Sequence, residues 1–272
     1  MTSISEPAFC LSMDADSHSG VYRFSKGNTV FYVEAHPEAD IDEIDYGFPP
    51  AILNIVLSTP QPPDCNWADL RKDNRVEWKK KTLKGVSDVW HPITIDLRDV
   101  EPVKYLRHRV WQVRYRGLLC IAKIARFEFE VPWLERETVV YGIIDGQDIG
   151  PPVVGHLTEE GRVMGLLIEY VPNTRPARPA DLETCATLLR KLHNLNILHT
   201  DINIYNFLIK ENGDGLLCDF EDCRLNVGRA ELEQEEQALI TSLHNDIGQA
   251  DEDGSDIGQH RLKCQKAGQY RI

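Results

Sequence analysis

The hydrophobic period of the chain changes at Pro172, and that change restricts the folds open to it. Upstream, short runs rich in Val, Ile, Leu and Tyr read as strands: Ile93–Leu97, Val110–Tyr115 and Leu118–Ala125, then Val153–Leu157 and Val163–Val171. Such residues suit the pleated, half-buried surface of a sheet. The turn Arg116–Gly117 makes the first three a β-meander, and Thr158–Gly161 joins the last two. Between the groups Pro132 opens a helix to about Ile144, since a proline's missing N–H costs nothing at a first helical position. Downstream, Leu182, Cys185, Leu189 and Leu192 recur at helical spacing and predict an amphipathic helix across Asp181–Leu195. Asn206–Lys210 and Leu216–Phe220 read as short strands around the turn Glu211–Gly215, and Leu232, Leu239 and Leu243 mark a last helix. Strands, helix, strands, then mainly helix is an α+β order.

The flanks carry weaker patterns. Residues 1–90 form an N-terminal extension in which Thr29–Glu34 and Ala51–Leu57 read as strands and the Pro-rich Ser58–Cys65 as a loop. Lys79, Lys80, Lys81 and Lys84 read as a solvated face. Residues 246–272 are an acidic, Gly-containing tail with too little apolar content to pack, which predicts mobility.

Charge and cysteine usage narrow the function classes. Lys plus Arg at 30 against Asp plus Glu at 43 leaves a net charge of −13, which repels nucleic acid and acidic lipid surfaces. Apolar runs such as Ala51–Leu57 fall far short of the roughly 18 residues of a membrane helix. Seven scattered cysteines without a CxxC pair suggest neither a disulfide framework nor a zinc site. Met1–Ser19 has no basic segment followed by an apolar one, so the cytoplasm is the expected compartment, with the nucleus as the alternative.

The run with the most chemistry in it is His199-Thr200-Asp201-Ile202-Asn203-Ile204-Tyr205-Asn206, which reads H-x-D-x-x-x-x-N and lies between the amphipathic helix and the strand pair. Asp219-Phe220-Glu221 follows thirteen residues after Asn206. Lys123 sits among apolar neighbours in Leu118–Ala125, where a charge needs a partner. On the next helix Glu137 is the better-placed acid and Glu135 the second, because the helix can be phased either way. Leu166–Val171 closes the β-rich half.

Taken in order, Lys, Glu, strand end, H-x-D-x-x-x-x-N and D-F-x resemble the protein-kinase-like superfamily. More narrowly they resemble the fungal kinase-like proteins with a Trp-His-Pro segment and an E-T-x-x-Y helix, here Trp90-His91-Pro92 and Glu137-Thr138-Val139-Val140-Tyr141. The resemblance covers about residues 90–225. It implies a bilobal kinase-like fold: a β-rich N-lobe with one helix over 91–171, and a reduced, mainly helical C-lobe over 172–245, with ATP and Mg²⁺ in the cleft. It also implies roles, because phosphoryl transfer is catalysed by positioning and charge neutralisation. Lys123 contacts the α- and β-phosphates and pairs with Glu137. The backbone of Glu169 and Val171 recognises adenine. Asp201 accepts the substrate hydroxyl's proton, His199 braces the loop, and Asn206 and Asp219 are the hard oxygen ligands of Mg²⁺.

Three departures shape the expectation. Arg98–Arg109, where a phosphate-covering loop would fall, lacks flexible glycines. Glu221 replaces the glycine of D-F-G, and only 53 residues follow Asp219, without an A-P-E element. The second lobe is therefore small, as in RIO-type, lipopolysaccharide-core or aminoglycoside phosphotransferases. The expected activity is ATP- and Mg²⁺-dependent transfer of the γ-phosphate to a hydroxyl of a small molecule or an unusual protein substrate. The alternative is a pseudokinase, a nucleotide-binding or protein-interaction module that meets a partner through residues 1–90 or the acidic tail. Cys218 and Cys223 read as core or near-site thiols rather than nucleophiles.

Overall fold

The structure is a computed structural model that describes residues 7–250. The chain divides into two compact units, one ending at Leu83 and the other starting at Lys84.

The first unit contains β1 (Ala8–Ala15), β2 (Gly20–Lys26), β3 (Thr29–Ala35), α1 (Glu43–Tyr46), α2 (Pro49–Leu57), β4 (Trp67–Arg71) and β5 (Arg75–Lys79). They form a five-stranded sheet in chain order, antiparallel except between β3 and β4. Alternate residues Tyr22 and Phe24 on β2, and Phe31 and Val33 on β3, are fully buried and share a core with Ile52 and Val56 of α2. The run Ala51–Leu57, expected as a strand, is this helix. A parallel β3–β4 pair cannot be joined by a hairpin and needs a crossover, and Pro49 and Pro50 start the helix that provides it.

The second unit opens with β6 (Thr94–Asp96), β7 (Glu101–Arg107), β8 (Val110–Tyr115), β9 (Leu118–Ile124), α3 (Val131–Ile144), β10 (Val153–Glu159) and β11 (Arg162–Glu169). Their six-stranded sheet has the order β6-β10-β11-β9-β8-β7. The expected meander is thus corrected. The Ile93–Leu97 strand pairs in parallel with β10 at the opposite edge, and the meander is β7-β8-β9. β7 was hidden because its Glu, Pro, Lys and Arg content is that of an exposed edge strand. Gly117, at φ +84, makes the β8–β9 turn in a backbone region that other residues rarely adopt.

On α3 the residues Val131, Leu134, Glu137, Thr138, Tyr141 and Ile144 form one buried stripe, so Glu137 lies among apolar neighbours. Trp90 crosses this helix, with its Nε1–H donating to the Thr138 carbonyl at 3.0 Å. A side chain at Gly142 would meet the Trp90 ring at 3.1 Å, so the glycine permits that close packing.

Beyond the β-rich lobe come β12 (Thr174–Arg175), α4 (Leu182–His193), β13 (Ile197–Leu198), β14 (Phe207–Lys210), β15 (Gly215–Leu217), β16 (Arg224–Leu225) and α5 (Arg229–Ala250). Cys185, Leu188, Leu189 and Leu192 bury one face of α4, and Leu239 and Leu243 of α5 join the same core. β12-β14-β15 form one small sheet and β13-β16 another. The second unit is therefore a bilobal kinase-like α+β fold, with a β-rich lobe carrying one helix and a smaller, mainly helical lobe. The tail expected from residue 246 begins inside α5, and from residue 251 it lies outside the described residues. No described helix is long and apolar enough to cross a membrane.

Candidate active site

Lys123, on the inner strand β9, is buried, and its ammonium lies 2.5 Å from Glu137 Oε1 and 2.7 Å from Asp219 Oδ1. The helical phasing that sequence left open is resolved. Glu137 lies on the buried stripe, while Glu135 turns away to accept the backbone N–H groups of Ser87 at 2.8 Å and Asp88 at 3.0 Å. The same helix grips Asp219-Phe220-Glu221 directly. Phe220 N–H donates to Glu137 Oε1 at 3.3 Å, and the Tyr141 and Phe220 rings meet edge to face at 5.1 Å.

Charge governs this group. Burial favours a neutral Lys123, yet the attraction of Glu137 and Asp219 outweighs it and holds the ammonium charged above its ordinary range. Burial likewise opposes ionisation of Asp219, but Lys123 and Arg107 pull its carboxyl down to about 2. For Glu137, which is 1% exposed, burial dominates and the carboxyl is pushed up in spite of Lys123.

Arg107 comes from the glycine-free stretch Arg98–Arg109, which contains β7 and the turn into β8. Its Nη2 lies 2.8 Å from Asp219 Oδ2, on the carboxylate oxygen that Lys123 leaves free. Arg109 at the hairpin turn reaches Glu221 at 2.7 Å and stacks over Trp133 at 5.2 Å. Arg136 of α3 donates to the Glu221 carbonyl at 2.7 Å. Asp219 has φ +71, an uncommon conformation for a non-glycine residue, and these contacts on both sides hold it there.

The H-x-D-x-x-x-x-N loop is held by hydrogen bonds. Asn206 Nδ2 donates to Asp201 Oδ2 and to the Asp201 carbonyl, both at 2.8 Å, and Asn203 Nδ2 donates to Asp201 Oδ1 at 2.8 Å. Asp201 itself is exposed. His199 is fully buried and kept neutral by that burial; its Nε2–H donates to the Cys218 carbonyl at 3.1 Å and its ring lies on Phe220 at 5.5 Å. The Cys218 N–H in turn donates to the Asn206 carbonyl at 3.0 Å, so the loop and Asp219 leave adjacent strands together. Cys218 is pushed up to about 12 by burial, an inert thiol at neutral pH.

Sequence reasoning missed Glu235. This buried glutamate of α5 accepts the backbone N–H groups of His199 at 3.1 Å and Thr200 at 2.5 Å, and the His193 Nε2–H at 2.7 Å. The signal was an acid on the same helical face as Leu232, Leu239 and Leu243. It also missed Arg107 and Arg109, which it had only inside a stretch defined by lacking glycine.

The oxygens suit a hard cation. Ligand atoms of Glu137, Asp219 and Glu221 lie within 4.8 Å of one another, and Asp219 is ionised with a cation against each oxygen. Asn206 spends its amide nitrogen on Asp201, which leaves Oδ1 as the atom it could offer a cation. That set matches Mg²⁺, which takes few protein oxygens and completes its shell with water and phosphate. Glu169 and Val171, at and just beyond the end of β11, stand apart from this hydrogen-bonded group. Glu169 N–H donates to the Pro152 carbonyl at 2.9 Å, and the Val171 carbonyl accepts the Thr174 hydroxyl at 3.3 Å.

Residues 169–255 match the sequence profile of the lipopolysaccharide kinase (Kdo/WaaP) family. That segment holds the end of β11, the H-x-D loop, Asp219-Phe220-Glu221 and Glu235, and excludes Lys123 and Glu137. The chain is also 28% identical over 94 residues to the 3-deoxy-D-manno-octulosonic acid kinase of Vibrio cholerae, a match that covers 30% of this chain and 40% of that protein.

Proposed function

We propose that the second unit is an ATP- and Mg²⁺-dependent phosphotransferase that moves the γ-phosphate onto a hydroxyl of a small, sugar-like molecule. The observation that carries this reading is the convergence of Lys123, Glu137 and Asp219 beside a loop that joins Asp201 to Asn206. The profile match and the Vibrio cholerae relative support the sugar-like acceptor. So does the short path from Asp219 to α5, which starts at Arg229 and leaves no length for a peptide-docking segment. A pseudokinase draws no support, since every polar position that transfer needs is present.

In this reading the backbone of Glu169 and Val171 holds adenine, and Lys123, fixed by Glu137, lies against the α- and β-phosphates. Asp219 and Asn206 Oδ1 hold Mg²⁺, which when bound neutralises charge on the phosphate oxygens. Asp201, aimed by Asn203 and Asn206, takes the proton of the acceptor hydroxyl as its oxygen bonds to the γ-phosphorus and the bond to the leaving ADP oxygen breaks. The test is ADP release with Mg·ATP across a panel of sugar acids and polyols. Acceptor-dependent release that collapses in Asp201→Asn is expected. An undiminished rate in that variant, or a wild type that fails to bind Mg·ATP, contradicts the reading.

A further inference from the structure

We infer that Arg107 is the phosphate-gripping residue of this cleft, standing in for a glycine-rich loop, and that without nucleotide its guanidinium occupies the cation seat on Asp219. This rests on the phosphotransferase reading above. Arg107 pairs with Val110 and Val110 with Lys123, so the three lie in one row across β7, β8 and β9. Cross-strand partners project from the same face of a sheet, which brings Arg107 and Lys123 to opposite oxygens of one carboxylate, at 2.8 and 2.7 Å.

The two cations differ in exposure. The Lys123 side chain is 9% exposed and fixed between two acids, whereas that of Arg107 is 49% exposed and enters from the solvent side. Arg109, 14% exposed, is pinned by Glu221 and Trp133 and anchors the hairpin. This anchoring gives Glu221 a role: a glycine at that position would leave Arg109 without its carboxylate.

A glycine-rich loop binds phosphate through backbone N–H groups that only a side-chain-free turn can bring close. The tip here is Arg107-His108-Arg109, with no glycine and with Arg109 at φ +63. The hairpin therefore offers a side chain instead. A guanidinium is a planar fork that matches two phosphate oxygens. When Asp219 takes a divalent cation its Oδ2 must be released, and a nucleotide's β- and γ-phosphates give Arg107 an equivalent partner. Arg107 thus exchanges one anion for another, and the exchange makes metal binding and nucleotide binding support each other.

The exchange predicts effects of opposite sign in Arg107→Gln. Its affinity for Mg·ATP falls about ten- to a hundred-fold, the size of a lost hydrogen bond between charged groups, while affinity for AMP stays at the wild-type level. Mn²⁺ alone, followed by its paramagnetic resonance signal, binds several-fold tighter because its competitor is gone. Arg107→Lys, which keeps charge but not the fork, falls between the two. Equal Mg·ATP affinity in wild type and both variants, each with an unchanged thermal midpoint, overturns the inference and leaves the phosphotransferase reading standing. A wild type that binds no Mg·ATP overturns both.

Discussion

The group around Lys123 is held by charge, whereas the loop from His199 to Asn206 is held by directed hydrogen bonds. In the first, two buried carboxylates share one ammonium and a half-exposed guanidinium completes the balance. In the second, amide and backbone groups fix Asp201, and Glu235 ties the loop to α5. The first is the group in which the proposed exchange of Arg107 for a cation takes place, and its ion pairs make it responsive to pH. The second depends on each donor keeping its acceptor, which suits the fixed position that the proposed proton acceptor needs.

The sharpest way to break this comparison is Asp201→Asn. It keeps the side-chain shape while removing the proton acceptor and one of the two oxygens that accept from Asn203 and Asn206; phosphotransfer falls about 10³-fold, while the thermal midpoint drops only slightly because Asp201 is exposed and water takes the freed donor. A matching loss of stability would show the loop to be charge-held after all. Glu235→Ala comes next: three donors, two of them backbone groups of the loop, lose their acceptor, and urea unfolding records a loss of about 3 kcal/mol. Glu235→Gln, which keeps an acceptor oxygen, recovers part of it.

The charge-held group responds to pH instead. Asp219 has a folded pKa of about 2 against 3.8 for the ordinary group, so its contribution is complete above pH 3.8 and lost as pH falls through 2. The difference corresponds to about 2 kcal/mol, and Asp219→Asn flattens the acid limb of the stability curve between pH 4 and 2. The smallest effect is expected at Glu135, whose exposed contacts to Ser87 and Asp88 are worth under about 1 kcal/mol. Chemical denaturation of Glu135→Ala and Glu137→Ala side by side separates the helix's structural acid from its site acid.

Much of this arrangement was legible from residue order. Lys123, Glu137, Asp201, Asn206 and Asp219 announce themselves as polar residues in apolar or turn settings with characteristic spacing, and both long helices of the second lobe follow from leucine periodicity. What stayed hidden depended on partners distant in sequence. The Ala51–Leu57 run is apolar apart from Asn54 and fits helix or strand alike until β3 and β4 demand a crossover. The β7 edge strand carries no hydrophobic alternation, because little of it is buried. Arg107 acquires meaning only through register with Lys123 and contact with Asp219, 112 residues away along the chain, a link no local pattern encodes.

The most direct test of the central claim, that this charged group is a metal–nucleotide site, is calorimetric titration of ATP with and without Mg²⁺ into wild type and Asp219→Asn. The account predicts one site per wild-type chain, tightened at least tenfold by Mg²⁺, with that tightening lost in the variant. Wild-type affinity indifferent to Mg²⁺, or a variant that keeps the full Mg²⁺ effect, would contradict it.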